Sequence, residues 1–227
     1  MSLFKKFIGC EVMVELIGCG SHSGMLVDAG VDAVVLKQEH RYKYIAAAHI
    51  QSLESAGSSD TEKKLPDYSG GYAASRLSLI ELLRQARSLP SLIKLDRHQF
   101  LYGTVTAVYE DYFEYEAVGN GKLIVPTCHL KWISLLADDQ HWFPAANPES
   151  QPTADQEQSP PTYSGRLLAS QGFPVILDRG LAPHKYGILL QSEFPFLELK
   201  SADGKTIHYN AEHIKCFAIM KKPASNP

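Results

Sequence analysis

The sequence lacks a basic excess. Its 227 residues hold 22 Lys and Arg against 25 Asp and Glu, a formal net charge of −3. A protein whose main task is to neutralise nucleic-acid phosphates carries a positive surplus, so this balance counts against that role. Long apolar runs are missing as well: no stretch approaches the roughly 18–20 apolar residues that a membrane-spanning helix needs. The start, Met1-Ser2-Leu3-Phe4-Lys5-Lys6-Phe7, has two lysines but no apolar core or small-residue cleavage site of a secretory signal. Cysteine is scarce, and Cys10, Cys19, Cys128 and Cys216 form no C-x-x-C pair, which removes zinc-finger and thioredoxin-type spacing. Reduced thiols in a cytosol-like compartment are expected, with a Cys10–Cys19 bridge left open. There is no G-x-G-x-x-G, Walker loop, H-E-x-x-H or G-x-S-x-G motif, so nothing points to an enzyme, a cofactor or a metal. What remains is 44% apolar and 21% charged, the balance of a soluble globular chain.

Two segments differ from the rest. Residues 54–71 are dominated by small, charged and turn-forming types, and residues 137–164 hold five prolines and five acidic residues with no Lys or Arg. Both read as exposed linkers with little apolar surface to bury. The expected organisation is therefore a first domain at 1–53, a linker at 54–72, a second domain at 73–136, an acidic linker at 137–164, a third domain at 165–221 and a tail at 222–227.

The three domains overlay. Each has a glycine inside an early β-type run, at Gly24, Gly103 and Gly187, and each closes on a histidine followed by an aliphatic residue, at His49-Ile50, His129-Leu130 and His213-Ile214. The glycine-to-histidine separations are 25, 26 and 26 residues. Agreement of anchor, spacing and closing pair in three places marks a divergent internal repeat. Within each block the apolar period is two, the strand signature, as in Cys10, Val12, Val14 and Leu16. Strands are expected at 10–17, 23–29, 33–38, 42–47 and 49–53, then at 92–95, 101–109, 112–118, 122–127 and 129–135. In the third block they fall at 174–179, 185–191, 194–200, 205–209 and 213–219. Five short strands in so few residues cannot form a stable flat sheet with one face bare, but can curl into a small barrel with glycine at the bend. Ser78-x-x-Glu81 is a capping box ahead of an apolar stripe, Leu79, Leu82, Leu83 and Ala86, so a helix stopped by Pro90 leads the second block. Shorter helical pieces at 2–7 and 165–169 lead the other two.

The first block resembles the Sm-like barrel family. Glu11-Val12-Met13-Val14-Glu15-Leu16 and Ser23-Gly24-Met25-Leu26-Val27-Asp28 are similar to its first motif. Tyr42-Lys43-Tyr44-Ile45-Ala46-Ala47-Ala48-His49-Ile50-Gln51-Ser52-Leu53 is similar to its second. The nearest likeness is to little-characterised proteins of spore-forming bacteria, some described as spore-coat components. The resemblance implies a mainly β chain of three tandem five-stranded Sm-like or SH3-like barrels with short leading helices. It also implies a place in the cytoplasm, with possible incorporation into the spore coat. Sm-like RNA binders are expected to carry an asparagine after the turn between the second and third strands and an arginine–glycine or lysine–histidine pair between the last strands. This chain has Asp28-Ala29-Gly30-Val31-Asp32 and Ala46-Ala47-Ala48 there, so the family's RNA contacts are not carried over.

Candidate positions follow from the repeat. His49, His129 and His213 are expected to cap the tight turn before each last strand; one histidine per barrel with no second ligand does not make a metal site. Cys128-His129 has the types of a nucleophile and base, but a buried cysteine is expected, and Asp138-Asp139-Gln140-His141 reads as solvated linker. Tyr109, Tyr112 and Tyr115, interleaved with Glu110, Asp111, Glu114 and Glu116, are expected to divide between a core face and an interaction face. The expected role is non-enzymatic: a structural or protein-interaction component that meets other proteins or its own copies through barrel edge strands. An RNA-binding module of Sm-like type is the alternative; otherwise neither nucleic acid nor a membrane is expected as a partner.

Overall fold

The computed structural model describes residues 2–39, 41–55, 77–97, 100–136 and 159–220. The described chain is mainly β. Helix α1 (Ser2–Lys5) precedes β1 (Glu11–Leu16), β2 (Gly20–Ala29), β3 (Ala33–Gln38), β4 (Arg41–Ala46) and β5 (Ile50–Ser55). Helix α2 (Leu79–Gln85) precedes β6 (Pro90–Lys94), β7 (Phe100–Val108), β8 (Tyr112–Ala117), β9 (Gly121–Pro126) and β10 (Trp132–Leu135). Helix α3 (Tyr163–Leu168) precedes β11 (Pro174–Leu177), β12 (Tyr186–Glu193), β13 (Phe196–Ser201), β14 (Thr206–Asn210) and β15 (Phe217–Ile219). The pairings of β1 to β7 and β10 with one another, and of β8, β9 and β11 to β15 with one another, are antiparallel. No helix among the described residues is long and apolar enough to cross a membrane.

The chain divides into two compact units, Met1–Val105 with Leu130–Glu149, and Thr106–His129 with Ser150–Pro227. In the first unit the hydrogen-bonded order is β7-β6-β10-β4-β3-β2-β1-β5. Period-two patterning places its core: Val12, Val14 and Leu16 are buried while Glu11, Met13 and Glu15 face solvent. Leu26, Val34, Leu36, Ile45 and Trp132 close on the same cluster. In the second unit the order is β14-β13-β12-β11-β15-β9-β8, around Tyr112, Ile124, Tyr163, Leu167, Val175, Leu199 and Phe217. In both the first and the third block the fourth strand comes first and the fifth last, 4-3-2-1-5, and among the described residues no hydrogen bonds join the two ends of that order.

The repeat glycines have a structural cause. A Cβ at Gly24 would lie 2.6 Å from the Lys37 carbonyl oxygen, and one at Gly187 would press closer still on the Lys200 carbonyl. The register agrees: the residue after each glycine, Met25 or Ile188, faces the same lysine, Lys37 or Lys200. Each second strand then carries a bulge in the same place, between Leu26 and Asp28 and between Leu189 and Gln191. Glycine lets the second strand lie against the third, and the extra residue bends it.

Several boundaries differ from those the sequence suggests. Glu54 and Ser55 do not open a linker; they pair with Met13 and Val12 and finish β5. At the other linker Pro160 and Pro161 are tied down, their carbonyls accepting from Tyr112 Oη and Glu110 N, and Tyr163 is buried, so order begins before residue 165. Helix α3 starts at Tyr163 because Thr162 Oγ1 caps the Gly165 amide. Helix α1 ends at Lys5, short of the expected Phe7. Ser78 caps α2 as its motif requires, through Glu81 N at 3.3 Å. Pro90, however, opens β6 rather than stopping that helix, which has already ended at Gln85 before Ser88 takes φ 61°. The remainder of both linkers lies outside the described residues.

Replacing Gly187 by Ala should destabilise the folded chain by about 1–3 kcal/mol, the range for overfilling a packed site. Gly18→Ala, at φ +68° in open space, should cost only about 1 kcal/mol from its left-handed backbone. Urea unfolding followed by circular dichroism checks the order: equal losses would remove the close-approach explanation.

Candidate interaction surface

The turn between fourth and fifth strands is built alike in all three blocks. A single 3-10 turn spans Ala47–His49, Thr127–His129 and Ala211–His213, and each histidine is its last residue. The first amide of each turn donates to a carbonyl in the loop between second and third strands. These bonds are Ala47 N to Asp32 O at 2.7 Å, Thr127 N to Asp111 O at 2.8 Å and Ala211 N to Pro195 O at 2.7 Å. The histidines therefore sit at turn-closing positions, each the last residue of a turn rather than the first of the closing strand. His49 Nδ1 lies 2.9 Å from Lys131 Nζ. An ammonium only donates, so this nitrogen accepts and the ring proton sits on Nε2. Among the described residues no group of three His, Cys, Asp or Glu could hold a metal ion.

The same turns adjoin two strand junctions. In the first unit β10, a fifth strand, pairs with β4, the fourth strand of the preceding block: Trp132 faces Ile45, Ile133 faces Tyr44 and Ser134 faces Lys43. In the second unit β15 meets β9 through Phe217 opposite Ile124. The registers match, because Ile133 and Phe217 each lie four residues after their own histidine, and Tyr44 and Ile124 each five before the preceding one.

A carboxylate reinforces each junction. Asp32 Oδ1 accepts from Leu79 N at 2.7 Å and Asp111 Oδ1 from Tyr163 N at 2.6 Å. These are the first residues of α2 and α3, whose amides lack partners inside the helix. Val31 N and Glu110 N, one residue earlier, donate to the carbonyls of Leu77 and Pro161 at 2.8 and 3.0 Å. Each block thus grips the helix leading the next through one side chain and one backbone bond. Sequence reasoning missed Asp32 and Asp111; the available signal was an aspartate eight residues after the repeat glycine in both blocks. In the third block that place holds Pro195, flanked by the exposed Phe194 and Phe196, so the grip has no counterpart there.

Two edges stay unpaired among the described residues: the outer side of β5, which pairs only with β1, and the outer side of β14, which pairs only with β13. One is a fifth strand and the other a fourth, the two kinds that meet at both junctions.

The other candidates fall as follows. Tyr112 and Tyr115 are fully buried and Tyr109 stacks on Tyr112 at 4.4 Å, so these rings are not open platforms for bases. Burial pushes the Tyr112 phenol well above its usual range. Glu114, also buried, is matched by Lys122 at 3.1 Å and Arg166 at 3.6 Å. Cys128 is exposed rather than buried, because the chain turns at 127–129 instead of running on as a strand. Cys10 and Cys19 are thiols packed on the core of the first unit, with no disulfide between them. Asp138, Asp139 and His141 lie outside the described residues.

Residues 167–217 match the family model described as YwrJ third domain. No curated protein matches the chain.

Asp111→Ala should cost about 0.5–2 kcal/mol, the range for a lost helix cap, and Asp32→Ala a similar amount. Glu212, exposed on the last 3-10 turn, sets the baseline: its alanine variant should stay within about 0.5 kcal/mol. Chemical denaturation of the three variants checks this, and losses at Asp32 and Asp111 no larger than at Glu212 would refute the capping role.

Proposed function

We propose that this chain is a non-enzymatic assembly component of three Sm-like barrels, which propagates between copies the same junction that joins its own blocks. The observation that carries the reading is the register shared by β10 on β4 and β15 on β9. An exposed strand edge offers unpaired N–H and C=O groups and is normally shortened, charged or covered. Here β5 reads Ile50-Gln51-Ser52-Leu53-Glu54-Ser55 and β14 reads Thr206-Ile207-His208-Tyr209-Asn210, with no lysine or proline in either. Continued in the same register, Leu53 of one copy faces His208 of the next. The contact is heterologous, so it yields closed rings or open filaments. Fourth-to-fifth pairing and the 4-3-2-1-5 order support the Sm-like reading of the blocks. The family match supports three domains, since a model described as a third domain falls on the third block. It also fits a little-characterised sporulation-type protein, and a site in the cytoplasm or the spore coat follows from that likeness alone. The burial of Tyr112 and Tyr115 and the net charge of −3 weigh against RNA binding as the main task.

Head-to-tail pairing makes a distinctive prediction. Gln51→Lys and His208→Lys place a charge on an exposed position of one edge each, and either alone should abolish concentration-dependent association in sedimentation velocity. Mixed in equal amounts, the two variants keep one intact edge of each kind and should form a dimer and nothing larger. Association of each variant alone, or none in wild type, would overturn the reading.

A further inference from the structure

A cleft of about 900 Å³ opens on the first unit, lined by residues of β2, β3, β4 and β10 with Phe100 of β7. Lys43, half-buried, is part of its lining. The ammonium lies 3.1 Å from His22 Nδ1 and 4.7 Å from the centroid of the Trp132 ring, and no carboxylate pairs with it among the described residues. Lys94 stands nearby at 6% exposure, its ammonium 3.8 Å from the Phe100 centroid and 3.3 Å from the Arg97 carbonyl. Carbonyls and ring faces stabilise these charges less than a carboxylate would. Burial first, and then the charge of Lys94, pull the Lys43 ammonium down to about 8. Its charged form is thus a cost of the folded state at neutral pH, and that cost begins to fall as pH rises past 8 and is gone only above the ordinary lysine value of 10.5.

The neighbouring polar groups have the same need. Lys43 donates to His22 Nδ1, which leaves the His22 proton on Nε2, and burial, Lys43 and Lys94 together hold this ring neutral down to about pH 4. His22 Nε2 and Trp132 Nε1 are buried donors with no partner among the described residues. Buried orphan donors are rare in folded proteins and ask for an acceptor. Arg41 and Lys37 add two cations to the lining, and Glu11 and Glu39 add two carboxylates. The cations take an anion, while the two carboxylates on the wall disfavour a long polyanion.

We propose that this cleft binds a small oxyanion, a phosphate or carboxylate group held by Lys43 and by the neutral donors His22 and Trp132. Such a ligand would supply the missing counter-charge and acceptors together. This inference is independent of the assembly reading, since the cleft uses neither open edge.

The test uses the full chain with Trp142→Phe, so that Trp132 is the one remaining tryptophan. Inorganic phosphate and succinate are titrated separately at constant ionic strength, with potassium chloride as the reference salt. A saturable change in Trp132 fluorescence with either anion, and none with chloride, is expected. Phosphate alone would mark a phosphorylated ligand, and succinate alone an acidic one. Lys43→Met should weaken binding at least ten-fold while leaving the thermal midpoint unchanged or higher, because it removes a half-buried charge that no carboxylate pairs among the described residues. Should that variant misfold, Arg41→Gln at an exposed position should still weaken binding several-fold. A response that tracks ionic strength, persists unchanged in both variants, or occurs with an oligonucleotide and neither small anion would overturn the proposal.

Discussion

The backbone pairing of a fifth strand with the fourth strand of the block before it is the interaction on which the rest depends. A five-stranded block ordered 4-3-2-1-5 leaves two unpaired edges, each a row of amides and carbonyls that must find partners or water. At β10 on β4 and at β15 on β9 those groups find each other, in one register. The remaining features serve this contact. Gly24 and Gly187 let the second strand bend close to the third, which curls the block and presents its first and last edges. The 3-10 turns at His49, His129 and His213 reset the chain between fourth and fifth strands, so that the fifth pairs with the first strand of its own block and, at β10 and β15, with the preceding block as well. Asp32 and Asp111 fix the following helix in place and so hold the next block's strands at the junction.

The cleft depends on that pairing as well. Trp132 and Ser134 lie on one side of β10, opposite Ile45 and Lys43 of β4, so the indole reaches Lys43 only because these two strands pair. A candidate ligand site is thereby assembled from two blocks inside one compact unit. Neither β4 nor β10 alone would bring a half-buried cation against two neutral donors.

Much of the fold was legible because period-two patterning and the glycine–histidine spacing are local signals. Val12, Val14 and Leu16 announce β1 without reference to anything distant, and Ser78 announces α2. The strand ends were less legible. Nothing in Ala46-Ala47-Ala48 declares a 3-10 turn, which forms because Ala47 N finds the Asp32 carbonyl. The same limit misplaced Cys128, since its exposure follows from the turn and not from its neighbours. The candidate sites were the least legible part. Asp32 acts on a helix 47 residues away and Lys131 on His49 82 residues away, separations at which composition carries no signal. The cleft needed Lys43, His22 and Trp132 from three strands at once, and none of them stands in a motif.

Amide hydrogen exchange at β5 and β14, measured across a range of protein concentrations, tests the central claim most directly. If these edges seek each other between copies, the amides of β5 and β14 that point away from β1 and β13 should gain protection together as concentration rises. Those of β10 and β15, already paired within the chain, should be protected throughout. Exchange at β5 and β14 that stays fast and independent of concentration would contradict the account.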